Sequence, residues 1–347
     1  MDILVYGCIM VLLSGWFSSS SKSGPIIRER NNNHGWRNAT HAYTKEKSMI
    51  TRLEEIKAEC LQDSWVILYT FIAKELTERR GSDGEQILRE AVRRYGRDRG
   101  LTNQKRLLDH NIKINLLTLF NEGRDRPGEP RFTSRVIRNT REERISETLI
   151  CSFADVWKKY DAKWLGRIYC EEFHLACYEA FSFGKAKINL TRSLTQDGDD
   201  RCRFYHTYRP ENLSDQERKL SFEEFDPEYE PPTEKMPKPQ GKSGFNMLWI
   251  KMYYYLLECS VEALGYDEGR ALVAAGLRRS AKAQAEEFLS RAAATEQLID
   301  EQFMEDHLPI SLDYDSEPLW AQYDRYGAKQ LLRDCFGNTL LKGVGLA

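Results

Sequence analysis

Residues 151–204 read CSFADVWKKYDAKWLGRIYCEEFHLACYEAFSFGKAKINLTRSLTQDGDDRCRF, and their apolar residues change period along the way. The first part has helical spacing, and the last part alternates. Cys202 and Phe204 are separated by Arg203, with Tyr205 following, as on a strand with one apolar face. Between the two parts, Gln196-Asp197-Gly198-Asp199-Asp200 has the composition of a turn joining two strands. A helix followed by an antiparallel hairpin is therefore expected here.

Upstream, Leu53, Ile56, Trp65, Leu68, Tyr69, Ile72 and Leu76 recur at threes and fours, which makes residues 49–80 one amphipathic helix. Gly81, Ser82 and Asp83 end it, and a second helix over residues 84–108 turns Ile87, Leu88, Ala91, Val92 and Tyr95 inward. Residues 121–131 (NEGRDRPGEPR) read as loop, and residues 132–148 as a helix or a strand pair. Downstream, residues 210–244 hold six prolines among many charges and read as a linker. Residues 245–264 form a strongly apolar helix, Gly265 breaks it, and residues 267–289 form another. The order apolar helix, Gly break, basic helix occurs in both residues 65–99 and 249–282, which fits either a partial repeat of the first hairpin or two ordinary amphipathic hairpins of similar length.

The expected fold is α+β: a helical hairpin packed on a small antiparallel sheet, followed by a mainly helical second domain. The expected divisions are an extension at 1–48, an α+β domain at 49–209, the linker at 210–244 and the helical domain at 245–347. Residues 3–17 (ILVYGCIMVLLSGWF) are too short to span a bilayer, and Asp2 stands where a secretory signal carries a basic residue. A disordered extension on a cytoplasmic protein is the expectation; secretion is the alternative, should residues 1–24 act as a signal peptide.

The chain's 347 residues, 41% of them hydrophobic, suffice for a sizeable core. Its 51 basic and 53 acidic residues leave a net charge of −2, so there is no overall field to attract nucleic acid, and no membrane partner is expected. The eight cysteines sit partly in apolar helical patterns and are read as reduced thiols. No phosphate loop, HExxH, GxSxG or dinucleotide fingerprint occurs, which argues against kinases, zincins, serine hydrolases and Rossmann oxidoreductases. No cofactor is expected, and a homodimer is compatible with this reading.

The pattern of Cys151, an acidic and aromatic helix, Gly166, the Tyr169-Cys170-Glu171 step, a strand, Gly198-Asp199 and Cys202-x-Phe204 resembles the L-2-amino-thiazoline-4-carboxylic acid hydrolase family. Residues 87–100 (ILREAVRRYGRDRG) are similar to that family's preceding helix, so the resemblance covers roughly residues 55–206. It implies hydrolytic opening of a small cyclic amidine or thiazoline at a C–N or C–S bond. The same spacing also resembles the 4-vinyl reductase type of domain, which implies the alternative of a non-catalytic small-molecule-binding or assembly module.

Opening such a ring requires a nucleophile at the carbon between two heteroatoms and an acid for the departing one. Cys170 and His174, four apart on one helix, suit a thiolate pair, with Glu171 beside them; packing is the plainer role for both. Asp199 is read either as a hairpin acid or as acid–base machinery. Phe204 is read as core. Cys151, Tyr169 and Cys202 are expected to touch substrate, although Tyr169, like Trp157 and Trp164, also suits a core. Cys170, His174, Cys202 and His206 form a further alternative, a Cys2His2 set for zinc; the favoured reading places no metal.

Overall fold

The computed structural model describes residues 34–347, with side chains from residue 52. The apolar run at residues 3–17 lies outside the described residues. Met1–Ser48 and Met49–Ala347 are separate units; of the first, only helical backbone from His34 is described.

The elements in order are α1 (His34–Asp109), α2 (Leu116–Asn121), β1 (Thr133–Asn139), β2 (Glu143–Ile150), α3 (Ser152–Lys159), α4 (Lys163–Phe181), β3 (Lys187–Arg192) and β4 (Cys202–Thr207). They are followed by α5 (Asp215–Ser221), α6 (Gly241–Leu264), α7 (Tyr266–Ala294), α8 (Glu301–His307), α9 (Trp320–Tyr323), α10 (Ala328–Leu332) and α11 (Asn338–Val344). The fold is α+β. Four strands form one antiparallel sheet in the order β1-β2-β4-β3. Gly81 breaks α1 with φ 52°, which turns one long helix into the expected hairpin, and Gly265 does the same between α6 and α7 with φ 87°.

Nearly every turn of α6 is buried, including Trp249, Ile250, Met252, Tyr253, Leu256 and Leu257. A helix apolar all round must be covered all round. The cover comes from both halves of the chain, because α1, α4, α6, α7 and the last helices share one hydrophobic core. Trp65 of α1 donates its indole N–H to the Leu248 carbonyl at 3.1 Å, and Gly276 of α7 lies against the Ile72 backbone of α1. Residues 245–347 therefore do not stand apart from residues 49–209; all belong to one compact unit.

Residues 210–244 also depart from the linker expectation. A capping box of Ser214 and Glu217 starts α5, Phe222 stacks on Tyr208, and Met236 is buried against Leu107 and Phe181. Backbone carbonyls of this stretch accept from side chains already fixed on the body: Lys113 reaches Lys219, Asn115 reaches Ser221, and Asn111 reaches Glu230. Composition predicts that this segment cannot order itself alone. Here it is ordered by lying on a surface that supplies the partners.

Candidate functional site

Helix α4 lies over the inner face of the sheet, and the two enclose a cavity of about 710 Å³ with the loop between α2 and β1. Along α4 the cavity is lined by Tyr169, Cys170, Phe173, His174, Cys177 and Tyr178, a repeat of fours that keeps one helix face toward the sheet. From the sheet come Arg144, Ser146 and Thr148 on β2, paired respectively with His206, Phe204 and Cys202 on β4. The cavity thus has a thiol end, with Cys151, Cys170 and Cys202, and a histidine end, with His206 and Arg144.

Five of the seven expected site residues line this one cavity: Cys151, Tyr169, Cys170, His174 and Cys202. The other two do not. Glu171 lies on a different face of α4, where its carboxylate accepts from Arg167 at 2.7 Å and from Arg89 of α1 at 3.0 Å. Asp199 accepts from the Ser193 backbone N–H at 2.9 Å and so shapes the β3–β4 turn. Its influence on the cavity is indirect, through the Ser193 and Thr195 hydroxyls that this turn carries toward Cys170. Phe204 lines the cavity rather than a sealed core.

Electrostatics run against the thiolate pair. Burial pushes the Cys170 thiol well above its ordinary value, with Cys202 and Cys151 adding to the rise, and the Thr195 and Ser193 hydroxyls offset only part of it. Burial likewise raises Cys151 to about 11 and Cys177 to about 12. The His174 imidazole does not counter this: burial drives it down to about 3, with His206 and Arg99 lowering it further. Burial also brings His206 down to about 4. Both rings are neutral near pH 7, and Nδ1 of His174 and both ring nitrogens of His206 have no hydrogen-bond partner. Among the described residues, no three His, Cys, Asp or Glu side chains gather closely enough to hold a metal ion, so the Cys2His2 alternative is not formed. The seven described cysteines are all free.

These shifts carry a consequence for stability. Above the ordinary histidine value of 6.5 both folding states hold His174 and His206 neutral. Below it the unfolded chain takes up protons that the native cavity refuses, so stability falls as pH falls, by about 1.4 kcal/mol per unit for each ring until its native value is reached. Urea denaturation is expected to give a stability roughly 2–3 kcal/mol lower at pH 5.5 than at pH 7.5, with most of that difference absent in H174F/H206F. A wild-type value unchanged between those pH values would refute the burial argument.

Several cavity residues were not singled out from sequence. Arg99 and Asp125 form a buried pair, Nε to Oδ2 at 2.7 Å and Nη2 to Oδ1 at 2.5 Å, while Arg99 also donates to the Tyr95 hydroxyl at 3.0 Å and lies 4.6 Å above the Phe173 ring. Arg124, Arg126, Arg144 and Lys238 line the same space, and among the described residues Asp125 is its only carboxylate. Arg144 is 3% exposed, sits 4.0 Å over the Phe120 ring and donates to the Asn139 side chain at 2.8 Å, while its Nε has no partner. The signal that could have found them is the loop at residues 121–131, where three arginines and one aspartate stand among glycines and prolines, since loops held by a rigid frame often carry function.

The architecture and this cavity define an α+β protein with a mainly apolar-walled chamber, studded with cations, under one helix. Residues 55–206, somewhat under half of the chain, match the family model described as L-2-amino-thiazoline-4-carboxylic acid hydrolase. The resemblance read from the sequence is thus supported over that span, which contains α4, the sheet except the last residue of β4, and most of the cavity wall. No curated protein and no solved structure matches the chain. Among the described residues no helix is long and apolar enough to cross a membrane.

Proposed function

We propose that this protein is a hydrolase that opens a small, carboxylate-bearing cyclic amidine or thiazoline inside the α4–sheet cavity, by water rather than by a cysteine thiolate. The observation that carries the reading is one chamber, walled mostly by the family-matched span, that combines excess arginine with unpartnered neutral imidazole. A carboxylate on the substrate answers the arginines. Once it neutralises part of their field, the penalty on a protonated His174 falls and its ring becomes a better base. His174 then takes a proton from a water that attacks the carbon between the two heteroatoms. The same proton passes to the nitrogen or sulfur that leaves when the ring bond breaks. Protonated thiols at the other end supply a soft, weakly polar wall for the ring.

The test is direct. Full-length protein incubated with cyclic amidines and thiazolines carrying a carboxylate should add one water to at least one of them, followed by mass spectrometry. The thiols' raised values and the tie between Asp125 and Arg99 favour a second reading, a binding module without chemistry. Ligand-induced thermal stabilisation with no hydrated product across the series would establish that reading and reject the hydrolase.

A further inference from the structure

Among the described residues the cavity wall holds Arg99, Arg124, Arg126, Arg144 and Lys238 against a single carboxylate, Asp125, and Arg99 already engages that carboxylate through two hydrogen bonds. Lys238 is also satisfied, by the Asn121 carbonyl and Glu122. The remaining guanidiniums, Arg124, Arg126 and Arg144, have no carboxylate partner among the described residues. Arg124 is exposed, but Arg144 is buried and Arg126 partly buried, so a chain whose charges almost cancel overall holds two largely desolvated guanidiniums in this cavity without a carboxylate, a cost that an anionic ligand relieves.

These cations are not gathered at one point. Arg144 belongs to the histidine end, over Phe120 and paired across the sheet with His206. Arg126 belongs to the thiol end: its guanidinium lies 4.5 Å from the Phe132 ring and 5.6 Å from the Phe153 ring, and its one side-chain hydrogen bond goes to neutral Gln62 at 3.2 Å. Phe132 immediately precedes Thr133, which pairs with Ile150 at the far end of β2 from Arg144. Six strand steps separate Arg144 from Ile150, roughly 20 Å of backbone, which the two long side chains shorten from both sides. Their aromatic neighbours thus lie toward opposite ends of β2, and a ligand with an anionic group at each end matches that spacing better than one with a single carboxylate.

We propose that the ligand of this cavity carries two anionic groups, one received by Arg144 with Arg124 beside it and the other by Arg126, with its middle lying along Phe173, His174 and Phe204. This deepens the hydrolase reading by naming the substrate class, a ring compound with a second acidic group beyond the one in the family's name. It rests on that reading for the ring alone, because the two-anion requirement follows from charge and spacing.

Binding to the full-length protein distinguishes the two ideas. Calorimetric titration with suberate and with octanoate, the same eight-carbon chain carrying one carboxylate, is expected to favour suberate at least about tenfold. R144M and R126M should each bring suberate down to the octanoate level. Their thermal midpoints without ligand should stay unchanged or rise, since each substitution removes an unpaired cation. Equal binding of suberate and octanoate by wild type overturns the proposal without recourse to any variant, and so does a suberate preference that survives either substitution. Suberate preference in a protein that hydrates no ring would leave two-anion recognition standing and reject the hydrolase. Turnover of a ring monocarboxylate with no suberate preference would do the reverse.

Discussion

Replacing Arg99 by Met is expected to destabilise the protein by about 3–5 kcal/mol, because it leaves the Asp125 carboxylate buried with its two strongest donors gone. Asp125 is held ionised: burial pushes its carboxyl up, but the Arg99 charge and hydrogen bonds outweigh this and bring it below the usual carboxylate range. Without Arg99 the group must either take up a proton or rearrange its loop. Arg99 also lies over Phe173 and holds the Tyr95 hydroxyl, so the substitution loosens the meeting of α1, α4 and the loop at once. R99M/D125N should recover part of the loss, since no lone charge remains. Urea unfolding of the three variants measures this. A cost for R99M below about 1 kcal/mol would mean that water reaches Asp125 freely and that the chamber is wetter than its burial indicates.

The second large effect concerns turnover. H174F should lower kcat by about 10²–10⁴-fold, the usual contribution of a positioned acid–base group. Its folding stability should hold or improve, because the substitution deletes a buried nitrogen that has no hydrogen bond. C170S should stay within about tenfold of wild type, since a thiol pushed well above its ordinary value is not a standing nucleophile. Single-turnover measurements on both variants separate the routes. Full activity in H174F together with loss in C170S would return the chemistry to the thiol.

Much of the helix and strand layout could be read in advance, because residues 49–80, 84–108 and 245–289 carry long, unbroken helical periods with a glycine at each break. The α4 face was visible too, as was the alternation of Cys202, Phe204 and His206. What the sequence concealed was β2. There the chamber takes Arg144, Ser146 and Thr148, while Ile145 is half-exposed and Leu149 is exposed on the other side. Alternation is normally read with the apolar side inward, and a strand that turns Arg, Ser and Thr into a cavity inverts that rule. The arginine field was hidden for a related reason: a net charge averaged over the chain says nothing about cations drawn from a loop, a strand and a strap into one place. Glu171 and Asp199 misled because acids beside a cysteine-rich motif resemble catalysts, whereas the helix turn aims one at Arg167 and Arg89 and the hairpin uses the other to fix its own backbone.

The apolar column of α6 has an implication for how such a chain can diversify. The family match ends at residue 206, yet Trp65 reaches Leu248 and the same core continues to Val344. That limit marks where similarity stops, and it does not mark where folding stops. The matched span is therefore not a cassette that could be excised or grafted onto another partner. Its descendants are constrained to change in step with the helices that clasp it.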